Sequence, residues 1–227
     1  MIELENYRIK RALFHKHTSH KDQGLMGNDD IRFYSSIVCE KNKDHILNII
    51  APIFSTFTNI LEIGSGIGNL GVYFAKNMHN IQWHTSDYVE YLDAIKAQVS
   101  NSQLPNISEP FALDIVKYHW PKIAIDAVFT ANTFHMMNDN MLANFFKEVN
   151  SALDKWGSLV VYGPFLHSES FFIKSDEQLN KWLKNRNAQC GIKQFDEVVT
   201  LAKRNGLQLI MDYDMPDNNQ ILHFIKV

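Results

Sequence analysis

The sequence predicts an α/β fold: a mostly parallel sheet covered by helices, with an antiparallel strand at its C-terminal end. Three observations predict it. From Asn59 onward short apolar runs alternate with amphipathic stretches, a glycine-rich loop follows the first run, and two strand-like runs close the chain around one turn. Parallel neighbours cannot be joined by a tight turn, so this alternation implies crossover helices.

The elements follow in order. Ile46, Leu47, Ile49, Ile50 and Ile53 share the apolar face of a helix expected to start at Asp44, a good N-cap residue. Strands are predicted over 59–63, 81–86, 125–130 and 158–162, with a third strand ending near Leu113. Helices are predicted over 69–77 and 89–99, and behind Asp139, where Met141, Leu142, Phe145, Phe146, Val149 and Leu153 keep helical spacing. The Gly163-Pro164 pair is expected to end the fifth strand. A last helix over 194–205 has Asp196 in its first turn, Lys203 and Arg204 in its last, and Gly206 as its stop. The runs Leu207 to Met211 and Ile221 to Val227 flank a turn region, 215–220, and should pair as a hairpin.

Composition limits the function. The 227 residues suffice for one large domain at about 100–200 residues per domain, here 32–227, preceded by a polar extension or lid over 1–31. Hydrophobic residues make up 45% and charged ones 21%, as in soluble globular chains. A net charge of −3 with scattered basic residues provides no nucleic-acid footprint and no polybasic membrane surface. No run approaches the ~20 apolar residues of a membrane span. Glu3 and Glu5 break the pattern of a signal peptide, and Cys39 and Cys190 have neither disulfide nor metal spacing, so a cytoplasmic location is expected. His15-Lys-His-Thr-Ser-His20 has no carboxylate or cysteine beside it and reads as solvated, so no metal is expected.

Leu61-Glu-Ile-Gly-Ser-Gly-Ile-Gly-Asn69 carries the chemistry. Gly64, Gly66 and Gly68 let the backbone turn sharply and leave room for a ligand, while the next helix supplies free N–H donors. Position 69 is Asn where the dinucleotide fingerprint wants glycine, which counts against NAD. Asp87 follows the second strand, 23 residues after Gly64, where a carboxylate can accept from two ribose hydroxyls. Asp114 follows the third strand, where a carboxylate could take an adenine amino group.

These residues resemble the class I S-adenosylmethionine-dependent methyltransferases. The resemblance implies a Rossmann-like, seven-stranded sheet and the cofactor S-adenosyl-L-methionine. It assigns the methionine cradle to Glu62, Gly64, Gly66 and Gly68, the ribose to Asp87, and the adenine to Asp114 with the adjoining Ile115. The chain resembles most closely a widespread uncharacterised methyltransferase-like family. The matching blocks are Glu40-Lys-Asn-Lys-Asp44 within 36–47, 61–68, 126–135, Tyr162-Gly-Pro-Phe165 and Met215-Pro-Asp-Asn-Asn219. It departs from that family at Lys41, usually Arg, at the pair Ser175-Asp176, usually Ser-Asn, and at Leu179, usually aromatic.

Around the expected methyl-transfer site, Asn132 and His135 follow the fourth strand, with Asn132 also near the cofactor and His135 a candidate general base. Tyr162 joins them from the fifth strand. Glu40 and Asn42 are expected over the cofactor, and Tyr34 and Asn219 beside the substrate. The segment after strand four lacks the Asn/Asp-Pro-Pro-Tyr/Phe signature of enzymes methylating nucleic-acid bases, which favours a small-molecule acceptor and no nucleic-acid partner. Two other readings stay open: a non-catalytic S-adenosylmethionine-binding protein working through a partner, and an NAD-dependent oxidoreductase.

Overall fold

A computed structural model of the chain describes residues 28–116, 120, 123–167 and 174–227. Most of the expected N-terminal extension, with His15–His20, lies outside the described residues. Helix α1 spans Asn28–Phe54. It begins sixteen residues before the expected start: nothing between Asn28 and Asp44 breaks a helix, and Ile31, Tyr34 and Val38 already keep helical spacing there. Asp44 is therefore mid-helix, where its carboxylate accepts from the Tyr73 hydroxyl instead of capping.

The remaining elements are β1 (Asn59–Ile63), α2 (Asn69–Asn77), β2 (Gln82–Asp87), α3 (Leu92–Ser102), β3 (Phe111–Ala112), β4 (Ile125–Ala131), α4 (Asp139–Ala152), β5 (Leu153–Leu166), α5 (Lys174–Arg186), β6 (Lys193–Gln194), α6 (Phe195–Arg204), β7 (Leu207–Met215) and β8 (Asn219–Lys226). The sheet runs β3-β2-β1-β4-β5-β8-β7, with the short β6 beside β5. β3, β2, β1, β4 and β5 are mutually parallel. β8 is antiparallel to both β5 and β7, as the hairpin reading requires.

Alternate residues of each central strand fill two separate cores. Ile60, Trp83, Ala127, Phe129 and Val160 pack under α1, α2 and α3, against Ile46, Ile50, Phe54, Phe74 and Ile95. Leu61, Ile63, Val128, Leu159 and Val161 pack on the other face under α4 and α6, against Phe145, Phe146, Val149 and Val198. α4 is capped by Asn138, whose side chain accepts from the Met141 N–H at 2.9 Å, one residue before the expected Asp139.

β5 corrects the sequence reading most. It runs through Gly163 and Pro164 to Leu166, with Gly163 opposite Gln220 and Pro164 opposite Asn219 of β8. The neighbour on its other side is what stops. The Asn132 N–H donates to the Tyr162 carbonyl at 2.8 Å. In a parallel ladder the Asn132 carbonyl would next accept from residue 164, which is proline and has no N–H. The β4 ladder ends there, and Asn132 turns away at φ 56°.

Candidate functional site

The carboxyl ends of β1 through β5 lie along one edge, aligned by the pairs Ile63 with Ser86, Ile63 with Thr130, Asp87 with Ala112, and Ala131 with Tyr162. Ligands of open α/β sheets bind at such an edge, where the strand order reverses between β1 and β4.

The glycine loop bridges β1 and α2. Gly64, Gly66 and Gly68 have φ of 74°, 62° and 83°, the left-handed region that side chains resist. A Cβ on Gly64 would lie 2.5 Å from Thr133 Cγ2, whereas one on Gly66 would meet nothing within 4 Å. Gly64 is therefore required by packing, and Gly66 faces open space a ligand can fill. The Gly64 and Ser65 amides both donate to the Ser86 carbonyl at 3.0 Å, tying the loop to the end of β2.

Asp87 completes that tie. One carboxylate oxygen accepts from the Gly66 N–H and the other from the Tyr88 N–H, both at 2.8 Å. Its main-chain carbonyl accepts from the Leu113 N–H at 2.9 Å, fixing the start of the segment that carries Asp114. Asp114 is buried and accepts from the Val116 N–H at 2.9 Å. Ile115 is buried beside it, its carbonyl accepting from the Asn144 side chain.

Glu62 lies behind the loop. It is 2% exposed, and its Oε2 accepts from Trp83 Nε1 at 3.0 Å. A Cβ on Gly71 would come within 2.6 Å of the same oxygen, so glycine lets α2 pack onto the carboxyl. Burial pushes the Glu62 carboxyl up to about 7 from 4.5; the Trp83 and Ser65 hydrogen bonds oppose the shift, and the charge of Asp87 adds to it. Trp83 is held by the Phe54, Phe74 and Phe129 rings, with centroids 5.5 to 6.2 Å away.

The other side of the crevice is formed by β4, β5 and α1. Asn42 and Tyr162, 120 residues apart in sequence, meet in a buried hydrogen bond in which Asn42 Nδ2 donates to the Tyr162 hydroxyl at 2.9 Å. Lys41 reaches Asp217 of the β7–β8 turn at 2.7 Å, while Glu40 is exposed and paired with Lys43. Tyr34 lies on α1, its side chain outside the described residues. Asn219 is buried, and its Nδ2 donates to the carbonyls of Pro216 and Asp217, closing its own turn.

His135 is in the turn after β4 and is 7% exposed. Burial, with the Lys193 charge adding to it, holds the imidazole down at about 4. The ring is thus neutral at pH 7, but far less basic than the ordinary imidazole that made it a candidate base. The segment after α5 packs on this turn: the Gly191 N–H donates to the His135 carbonyl at 2.9 Å and Cys190 Sγ to the Met136 carbonyl at 3.2 Å. Sequence reasoning missed both α5 and Lys193: α5 is mostly polar, with only Leu179, Trp182 and Leu183 at helical spacing, and Lys193 belongs to no recognisable motif.

A family model described as "Protein of unknown function (DUF938)" matches residues 34–226. The chain belongs to this family. The DUF938 chain is similar in structure to an O-methyltransferase family 2 protein from Planctomyces limnophilus DSM 3776 in complex with apigenin, at 15% identity and TM-score 0.73, over 90% of this chain and 63% of that one. It is similar to human N-acetylserotonin methyltransferase in complex with SAM, at 15% identity and TM-score 0.71, over 83% and 52%. It is also similar to the S-adenosylmethionine-dependent methyltransferase SibL, at 14% identity and TM-score 0.69, over 83% and 55%. The chain thus spans a little over half the length of these structures, and the likeness is one of fold: a Rossmann-like α/β sheet with antiparallel C-terminal strands. Among the described residues no helix is long and apolar enough to cross a membrane, and no cluster of His, Cys, Asp and Glu could hold a metal.

Proposed function

We propose that this DUF938 chain is an S-adenosylmethionine-dependent methyltransferase that moves a methyl group to a nucleophile of a small-molecule acceptor. One observation carries the reading: Gly66, left-handed and facing open space, has its amide held by Asp87 at the carboxyl edge of β2. A bare backbone beside a buried carboxylate suits a ligand with an uncharged sugar and a compact charged tail.

S-adenosylmethionine, when bound, supplies an electrophilic methyl group on a sulfonium, so the protein has mainly to align the acceptor and exclude water. Asp87 would hold the ribose hydroxyls, Asp114 and Ile115 the adenine, and Gly64, Gly66 and Gly68 the methionine portion, with Glu62 bracing the loop from behind through Trp83. Asn132 and Tyr162 flank the acceptor side, and Asn42 orients the Tyr162 hydroxyl. Neutral His135 is in the protonation state that accepts a hydrogen bond from an acceptor hydroxyl, and its low basicity suits orientation better than proton storage.

Calorimetry with S-adenosylhomocysteine and with NAD tests this. Binding of the first and not the second is expected; binding of NAD alone would overturn the proposal. Transfer of label from S-adenosylmethionine to a component of a metabolite extract would distinguish an enzyme from a binding protein.

A further inference from the structure

Lys193 starts β6, whose register places it opposite Phe165 just beyond the site edge of β5. Its side chain is only 11% exposed. Among the described residues its ion-pair partner is Asp139 Oδ1, at 3.6 Å, and that carboxylate is 99% exposed. Such a pair is too long for a hydrogen bond and, with one member in water, contributes little. Removing an ammonium from water is costly without compensation. The charge is felt inward: it acts on both His135 and Cys190. A cation on a largely covered side chain thus sits beside the turn after β4, and its ion-pair partner among the described residues is a solvated carboxylate.

We propose that Lys193 is a substrate-recognition residue and that the methyl acceptor is a small carboxylic acid, its carboxylate received by Lys193 while its nucleophile lies toward His135 and Tyr162. The inference rests on the methyltransferase reading of the crevice and names the substrate class for it. One ammonium balances one carboxylate, whereas a phosphate dianion would call for further cations or an Arg fork. The neighbouring imidazole, neutral at pH 7, brings no second positive charge. Charge pairing in this partly desolvated place discriminates strongly between an acid and its neutral amide, because the amide leaves the ammonium unmatched.

Para-hydroxybenzoate and para-hydroxybenzamide, a rigid acid and its neutral counterpart, are titrated into the full chain saturated with S-adenosylhomocysteine. Wild type should bind the acid at least about tenfold more tightly than the amide. Lys193→Met should abolish that preference without altering S-adenosylhomocysteine affinity, and Lys193→Arg should keep most of it. Asp139→Asn should retain the preference, since its carboxylate is solvated. Equal binding of acid and amide by wild type, binding of neither at millimolar concentration, or a preference surviving in Lys193→Met would overturn the inference while leaving the donor site intact. Failure of wild type to bind S-adenosylhomocysteine would instead remove the methyltransferase reading, and this inference with it.

Discussion

The amide of Gly66 donates to Asp87 Oδ2 at 2.8 Å, so the carboxylate expected to hold a ribose also shapes the loop expected to hold the rest of the ligand. One hydrogen bond thus ties together the two halves of the proposed donor pocket. Asp87→Ala should therefore lose a charge-assisted contact worth ~1.5–3 kcal/mol in affinity for S-adenosylhomocysteine, together with the anchor of the loop. Calorimetry on the folded variant checks this, and unchanged affinity would take Asp87 out of the site.

The three loop glycines should not be equivalent. Gly64→Ala places a Cβ 2.5 Å from Thr133 Cγ2 in a left-handed backbone, and a loss of at least ~2 kcal/mol in folding stability is expected. Gly66→Ala meets no neighbour and should cost about 1 kcal/mol of backbone strain, yet weaken ligand binding more than its stability loss suggests. Denaturant titration alongside calorimetry separates the two, and similar behaviour of both variants would contradict the assignment of open space to Gly66.

Glu62 predicts a pH dependence of stability. Its folded value, about 7, lies above the unfolded 4.5, so the native chain holds the extra proton between those limits. The stability this group contributes is present at low pH and lost as pH rises through 7. His135 and His223, both lowered toward about 4, act in the opposite sense below 6.5 and are neutral in both states well above it. Between pH 6.5 and roughly 8, where the histidines change both proteins alike, wild type should lose on the order of 1 kcal/mol relative to Glu62→Gln. Thermal melts at the two pH values decide the matter; parallel losses in both proteins would assign the effect elsewhere.

Asn42 and Tyr162 should be energetically coupled. Asn42→Ala and Tyr162→Phe each strip a buried group of its partner, at about 1–3 kcal/mol, and the double variant should be less destabilised than the two losses added. A double-mutant cycle in denaturant measures this. Strict additivity would mean that the hydrogen bond does not form in solution.

What was legible in the sequence depended on how local the cause was. β1 and α2 have the expected bounds because the apolar run, the glycines and the helical spacing are all contiguous. The C-terminal hairpin was legible from two β-rich runs around Pro216 and its neighbours. α1 was half visible: the sequence reading took up its apolar face only from Ile46. The site divides in the same way. Asp87 was singled out by its distance beyond the glycine loop and Asp114 by its position after the third strand, and both are buried. The Asn42–Tyr162 bond and the position of Lys193 beside His135 are tertiary meetings with no local pattern. His135 was legible as a position but not as an acid, since its proton affinity is set by burial that no spacing reports.

Pro164 means that the instruction to stop β4 is written in β5. Replacing it with alanine would supply the absent rung and invite the chain to run straight on past Asn132, carrying His135 off its present perch. A proline on one strand can in this way govern where the side chains that follow its neighbour stand.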